Sequence, residues 1–178
     1  NILNGRQNYN KDVVAGRVSL ELTPTPELFI RLATDKTVDD SEARQGRRLT
    51  LGPAPGNIQP ASGTYDTRAD LYKVLGHEQQ VTTEGTSLLA EYTIDPTLSV
   101  KSITAYRKSK SYAPIDFDSL ELPLWEAPSF YKDNQTSQEF QLTYTGDKVQ
   151  GVAGLFYMKT NAYNDFDVLY KDRKSTRL

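Results

Sequence analysis

The single histidine, His77, is the first side chain to test for catalysis or metal binding, because histidine serves both roles. The sequence contains no cysteine, so His77 has no thiolate partner for a zinc site. Nucleophilic catalysis of the serine–histidine–aspartate kind needs a histidine held beside a nucleophile, and His77 lies in a loop-like stretch. We therefore interpret His77 as a loop residue and predict that the protein is not an enzyme.

Two groups of acidic residues offer the oxygen ligands that calcium prefers. The first group comprises Asp35, Asp39, Asp40 and Glu42, and the second comprises Asp116, Asp118 and Glu121. The first departs from the spacing of a calcium-loop consensus, and the second lacks its central glycine. We interpret both groups as solvated loop charge and predict neither a metal site nor a cofactor.

Two further groups could recognise a ligand. The aromatic group comprises Trp125, Phe130 and Tyr131, and the basic group comprises Arg107, Lys108 and Lys110. The aromatic rings could stack on a ligand or pack within their own loop. The basic side chains could steer an anionic ferric complex, bind lipopolysaccharide phosphates or form a solvated strand end. The sequence alone assigns no substrate-binding residue.

Composition narrows the class of protein. The chain of 178 residues has a net charge of −2 and dispersed basic residues, so no nucleic-acid partner is predicted. The hydrophobic fraction is 37%, and 11 residues are tyrosine. An apolar run of about 18 residues, as a transmembrane helix requires, is missing. Transmembrane β-strands stay possible, because their side chains alternate between apolar and polar.

Strict alternation in four blocks predicts an all-β fold. One phase is apolar throughout and comprises Val18, Leu20, Leu22, Leu28, Ile30, Leu32, Leu88, Ala90, Tyr92, Ile94, Phe140, Leu142 and Tyr144. The interleaved positions are mostly polar. Two noisier blocks, Leu98 to Tyr112 and Val149 to Tyr163, bring the prediction to about six strands. Small residues near Gly154 indicate a bend or a closely approaching backbone in the last block.

The connections between these strands alternate between short and long. Short turns are predicted at residues 23–27, 95–97 and 146–148, and long loops at residues 40–76 and 113–133. In an up-and-down barrel the short turns lie at the periplasmic end and the long loops face outward. The blocks from Gln79 to Ile94 and from Leu98 to Tyr112 also exceed the roughly 9 to 11 residues that cross a bilayer.

The two faces of such a sheet require different surroundings. In a barrel the apolar face meets lipid and the charged face meets a water-filled lumen, whereas a soluble antiparallel sheet with one solvated face shows the same alternation. Six strands are too few to close a barrel, so we predict an antiparallel up-and-down meander that forms an arc of wall. Aromatic residues near the predicted strand ends would suit an interfacial girdle: Phe29, Tyr92, Tyr106, Tyr144 and Tyr157.

Three segments together resemble the TonB-dependent outer-membrane receptors. Residues 131–142, which contain Ser137-Gln138-Glu139, precede Gly151-Val152-Ala153-Gly154-Leu155-Phe156-Tyr157 as in a hairpin that recurs in that family. Residues 98–107 and 16–20 look like two further strands of it. The resemblance covers roughly residues 15 to 170 and implies a large barrel with an N-terminal plug.

The resemblance also implies a function, a location and partners. Such a receptor lies in the outer membrane, contacts its lipid and imports a scarce nutrient such as a ferric siderophore, using energy from the TonB complex. Residues 1–178 are accordingly interpreted as part of the barrel domain. The plug and the TonB box are absent from this stretch, and residues 171–178 are suspected to be a non-native tail. The alternative is a soluble β-rich module that binds carbohydrate or another ligand.

Overall fold

The computed structural model describes residues 5, 10–47, 49, 75, 79–120 and 124–170. Six long strands and one short strand form its only regular elements. Their bounds are β1 Val13–Thr25, β2 Leu28–Asp39, β3 Gln80–Asp95, β4 Leu98–Asp116, β5 Trp125–Thr145, β6 Gln150–Phe166 and β7 Leu169–Tyr170. The described part of the chain contains no helix long and apolar enough to cross a membrane.

The strands form one antiparallel sheet in which each long strand pairs with the next along the chain. The short strand β7 pairs with the start of β5 beside β6. This order confirms the predicted all-β meander of six strands. The sheet is open, because β1 and β6 each pair on one side alone among the described strands, and every residue of both is exposed.

Side-chain alternation fixes the register of the sheet. Leu20 lies opposite Leu32, and Leu32 lies opposite Leu88, so that one rung carries leucine on three successive strands. A shift of one residue would turn every side chain of a strand to the other face. The apolar pattern therefore determines both the pairing partner and the facing of each strand.

Tight turns join the strands at one end of the sheet, as predicted. Pro26–Glu27 and Pro96–Thr97 are the turns of the first two hairpins. Asp95 stabilises its turn, because its carboxylate accepts hydrogen bonds from the backbone N–H and the hydroxyl of Thr97, both at 2.7 Å. The hydrogen bonds from the Thr97 side chain and backbone lower the pKa of Asp95 below its usual value.

The predicted long loop at residues 113–133 is wrong over most of its length. Strand β4 continues to Asp116 and β5 begins at Trp125, which leaves residues 117–124 as the connection. The loop was predicted because this segment contains proline. In the structure, however, Pro114 and Pro128 lie in paired strands, directly opposite each other. The Phe117 N–H donates to Trp125 O, so the proline rung three residues away is a non-hydrogen-bonded pair. The missing N–H groups therefore cost the β4–β5 ladder nothing.

The other long connection, predicted at residues 40–76, lies mostly outside the described residues, as do His77 and residues 171–178. Its first residues extend the sheet beyond β2. The Asp40 N–H donates to Asp12 O at 2.9 Å, and the Gln79 N–H donates to Ser41 O at 3.1 Å. Connections at this end of the sheet are longer than the turns at the other end, so the predicted alternation holds.

Strand β6 confirms that small residues mark a close backbone approach. A Cβ atom built on Gly154 would lie 2.8 Å from the carbonyl oxygen of Phe140 on β5. At Gly151 on the same strand, a Cβ atom would meet nothing within 4 Å. The two glycines therefore play different roles, and Gly154 alone is required by the packing of the hairpin.

We predict that Gly154→Ala destabilises the sheet, because the new methyl group must displace backbone. The expected loss in the free energy of unfolding is about 1 to 3 kcal/mol, the usual cost of overpacking. Gly151→Ala is the matched control and should be neutral or slightly stabilising. Chemical denaturation followed by tryptophan fluorescence measures both variants, and equal effects would contradict the steric explanation.

Candidate functional site

The two faces of the sheet differ in chemistry along its whole width. We call the side that carries Leu20, Leu32, Leu88, Phe140 and Leu155 the apolar face. We call the opposite side, with Glu21, Arg31, Glu91, Lys101 and Glu139, the polar face. On the polar face Arg31 binds Glu21 at 2.8 Å, and Lys101 binds Glu91 at 3.1 Å. Both ion pairs join neighbouring strands.

The apolar face is the more exposed of the two. Leu32 is 45% exposed and Phe140 is 54% exposed. From β2 to β5, most polar-face residues are half-buried, while most large apolar-face side chains are exposed. Higher exposure on one side indicates that the sheet curves with the apolar face on its outer surface. This arrangement is the reverse of a soluble sheet, which covers its apolar face with a second layer.

The apolar face also contains a shallow depression of about 530 Å³. Large side chains on β2 to β6 surround it, including Leu28, Tyr92, Val100, Phe140 and Leu155. Its lining is almost wholly apolar, so it lacks the convergent polar groups that fix the orientation of a sugar or another polar ligand. The depression suits a flexible hydrocarbon group.

An ion pair on the polar face spans three strands. The Arg107 guanidinium on β4 binds the Asp35 carboxylate on β2 at 2.9 and 3.2 Å. Gly85 on β3 lies between these residues in the register. A Cβ atom on Gly85 would lie 2.8 Å from a guanidinium nitrogen of Arg107. The missing side chain therefore gives the arginine its path across the central strand.

Beside this pair runs a row of small side chains on the polar face. Five consecutive strands contribute Ser19, Ala33, Ser87, Ala105 and Ser137 to one rung. Long side chains flank the rung on both sides, with Arg31 on one and Arg107 on the other. Ala33 is buried between them at 5% exposure. The long charged side chains therefore border a strip of small side chains. Sequence analysis did not predict this strip, because the strip exists only when the strands pair in this register.

The three basic residues predicted as one group do not lie together. Arg107 faces the polar side, whereas Lys108 and Lys110 face the apolar side. Lys108 forms an ion pair with Glu84, which is also 3.9 Å from Lys36. The three side chains therefore do not act on one face of the sheet. Alternation along β4 separates them, as its sequence already implied.

The first acidic group is likewise divided. Asp35 binds Arg107, while Asp39 accepts a hydrogen bond from the Ser41 N–H at 3.0 Å. The Glu42 N–H donates to the Asn10 side chain at 2.7 Å. Within the described residues these carboxylates do not converge on one point, and Asp35 and Asp39 lie in β2, so the interpretation of the group as loop charge is wrong for these two residues.

The second acidic group does converge, with a different third member. Asp116, Asp118 and Glu126 place carboxylate oxygens within 4.8 Å of one another, while Glu121 lies outside the described residues. Glu126 was missed because only the pairing of β4 with β5 brings it opposite Asp116. Asp118 accepts from the Leu120 and Trp125 N–H groups, both at 2.8 Å. These bonds hold the connection between the strands, and that structural role accounts for Asp118.

The aromatic residues of this connection pack on one another. Phe117 lies 6.0 Å from Trp125 and 6.3 Å from Phe166, measured between ring centroids. Phe130 instead packs on Tyr112 at 4.6 Å. Trp125 and Phe130 therefore belong to different clusters. The first cluster lies on the polar side of the sheet, where its partly exposed rings could contact a solute.

The predicted aromatic girdle is divided between the faces. Tyr92 and Tyr144 lie on the apolar face near the turns, and Tyr106 and Tyr157 lie on it further along the strands. Phe29 is an exception, because it lies opposite Glu91 on the polar face. Its ring is 5.3 Å from the Arg31 guanidinium, which is the geometry of a cation–π contact.

No protein-family model matches the sequence, and no curated protein is significantly similar to it. The fold is thus established by the sheet itself, while the family resemblance stays a prediction.

We predict that Gly85→Val uncouples Arg107 from Asp35, because the new side chain occupies the path of the guanidinium. In the wild-type background, Arg107→Gln should lower the thermal unfolding midpoint. In the Gly85→Val background the same substitution should have little further effect, since the ion pair is already broken. Equal effects of Arg107→Gln in the two backgrounds would show that the contact contributes no stability.

Proposed function

We propose that the chain forms an arc of the wall of an outer-membrane β-barrel. The observation that carries this proposal is the exposed apolar face, opposite a charged face whose side chains are mostly half-buried. A soluble protein rarely leaves so large an apolar surface uncovered. In a barrel, acyl chains would cover that surface and water would fill the charged interior.

The dimensions of the apolar band support the proposal. Leu98 pairs with Tyr144 near the turns, and Tyr106 lies eight residues further along β4. This interval spans about 27 Å along the strand, which a tilt near 40° reduces to about 21 Å of height. The lipid-facing band of outer-membrane barrels is about 25 Å tall. Tyrosine at both ends of the interval suits the two interfaces.

The connections give the arc a direction. The tight turns at Pro26–Glu27 and Pro96–Thr97 belong at the periplasmic end, and the longer connections belong outside. Strand β5 has 21 residues and β4 has 19, well beyond the roughly 9 to 11 that cross a bilayer. Their outer ends, including the proline rung and the acidic cluster, would then project above the lipid.

Within that class, we propose a TonB-dependent receptor that imports a scarce nutrient such as a ferric siderophore. Support comes from the resemblance of three segments, one of which is the hairpin of the neighbouring strands β5 and β6. The polar face would line the lumen, and the aromatic cluster of Phe117, Trp125 and Phe166 would stand at its outer mouth. Energy would come from the TonB complex through a part of the receptor outside this chain. The role is transport and not catalysis.

We predict that Leu88→Lys destabilises the membrane-inserted protein by about 1 to 3 kcal/mol, because Leu88 lies opposite Thr104, between the middle of the band and its Tyr106 end, and the cost of a charge on the lipid face falls towards the interface. Ser87→Lys adds the same side chain to the adjacent residue on the polar face. There the ammonium group reaches water, so the variant should assemble nearly as well as wild type. The folded fraction in outer-membrane extracts, followed by heat-modifiable migration on gels, measures both.

The rival hypothesis of a soluble binding module gives the opposite result. The protein would stay monodisperse in buffer without detergent, and Leu88→Lys would improve its solubility. In that case Ser87→Lys would be the more disruptive change, because it would add a charge to the less exposed face. Such an outcome would reject the barrel proposal.

We also predict that uptake of ferric siderophores by the host declines when the coding region is disrupted. The loss should be confined to one chemical class of siderophore and should match that caused by a protonophore in wild-type cells, since TonB-linked import depends on the proton gradient. Radioactive iron accumulation with a panel of siderophores measures it. The test uses cells that have no second receptor for the siderophores of the panel. If disruption left iron accumulation unchanged with every siderophore, the proposed iron uptake would be contradicted.

A further inference from the structure

Four lysines on the apolar face lie immediately beyond the apolar band, towards the longer connections. Lys108 and Lys110 belong to β4, Lys132 to β5 and Lys159 to β6. We call these four residues the basic belt. They share a face with Phe140 and Leu155, as the register between the strands shows. The belt therefore begins where the hydrocarbon-facing surface ends.

Two members of the belt form a like-charge pair. Lys110 lies directly opposite Lys132 in the β4–β5 register, where side chains of paired residues start about 5 Å apart. Like charges placed directly opposite each other are destabilising. Both side chains are exposed, and the ion pairs among the described residues include neither of them. An anion between the two ammonium groups would relieve the repulsion.

Nearby acidic groups on this face do not balance the charge. Glu84 lies between Lys36 and Lys108 and is held by both. Asp165 accepts a hydrogen bond from the Tyr163 hydroxyl at 3.2 Å. On β3 to β6 the four lysines thus share this face with four carboxylates, but Asp116 and Glu126 lie six residues beyond the Lys110–Lys132 rung. The excess of positive charge is concentrated at the Lys110–Lys132 rung.

Neutral donors complete the surroundings of that rung. Lys132 pairs with Tyr163 on β6, and Lys108 pairs with Asn134, whose side chain accepts from Asn161 at 3.1 Å. Amide, hydroxyl and ammonium groups together suit an anion with several acceptor oxygens. A phosphate group has this chemistry, and the two ammonium groups of Lys110 and Lys132 match the charge of a phosphomonoester, which is about −1.5 to −2.

The height of the belt identifies the source of the phosphate. Lys110 lies four residues beyond Tyr106, or about 10 Å of height at the tilt used above. Each headgroup layer of a bilayer is about 5 to 8 Å thick, and lysine side chains reach back towards it. A lipid would place its acyl chains along Phe140 and Leu155 and its headgroup at the lysines.

We propose that the basic belt binds the phosphate headgroup of an anionic lipid in the outer leaflet. This inference rests on the proposed function, because it needs the apolar face to meet lipid. The belt is distinct from the lumen, so headgroup binding would not compete with transport of a nutrient.

The test is partitioning of the full chain into vesicles of phosphatidylcholine, with and without phosphatidic acid. Phosphatidic acid should strengthen binding of the wild type. Lys110→Gln combined with Lys132→Gln should reduce that gain about 30-fold, or about fivefold for each lysine. The matched control, Lys11→Gln with Lys148→Gln, removes the same charge from exposed positions outside the belt and should keep the gain.

The outcomes separate this inference from the function on which it rests. Equal losses in the two double variants would overturn the belt, because they would indicate diffuse attraction. An excess of inorganic phosphate that abolishes the gain would overturn the lipid assignment in favour of a free anion. Absence of any gain from phosphatidic acid, with normal binding to phosphatidylcholine, rejects the belt alone. Failure to bind phosphatidylcholine, with the gain intact, rejects the membrane wall alone.

Discussion

Backbone hydrogen bonding across one continuous sheet is the constraint on which the rest of this structure depends. The described residues form a single layer, and its few buried apolar residues, such as Ala33, Leu120 and Ala127, are too few for an ordinary core. Cohesion must come from the ladders between strands and from whatever covers the apolar face. In hydrocarbon an unpaired N–H or C=O group costs several kcal/mol. A lipid environment would therefore strengthen the preference for the paired sheet.

The same constraint explains where irregular residues are tolerated. Pro114 and Pro128 share a rung at which neither N–H would bond across the β4–β5 ladder. Gly154 lies where a carbonyl oxygen of β5 approaches, and Gly85 lies where an arginine crosses. The two glycines thus occupy positions at which the missing side chain leaves room, whereas Pro128 accepts from the Asp167 N–H on the β6 side without returning a bond. Polar side chains then add specificity, because ion pairs such as Asp35 with Arg107 form only in the observed register.

Much of the fold followed from the sequence, because alternation depends on local side-chain chemistry alone. The leucines of β1, β2 and β3 predicted strands, facing and order together. The same reasoning failed where pairing mattered more than composition. Residues 113–133 look like a loop because they contain proline and acidic residues, yet the two prolines share a rung that needs no N–H bond between β4 and β5. Glu126 was not predicted as a neighbour of Asp116, because the spacing of the two residues in the sequence does not show that they pair across β4 and β5.

The charged groups show the same limit at the level of sites. Arg107, Lys108 and Lys110 are close in sequence, but period-two alternation sends the arginine to the polar face and both lysines to the other. Lys132 is 22 residues from Lys110 in sequence and directly opposite it in space. Side chains on a sheet form a site only when they share a face and lie at paired positions on neighbouring strands. Those positions are known only when the register of the strands is known. Among the described strands, the outer edges of β1 and β6 are unpaired. The rungs of the described sheet end at these edges, and the barrel proposed above would need further strands that continue the same register.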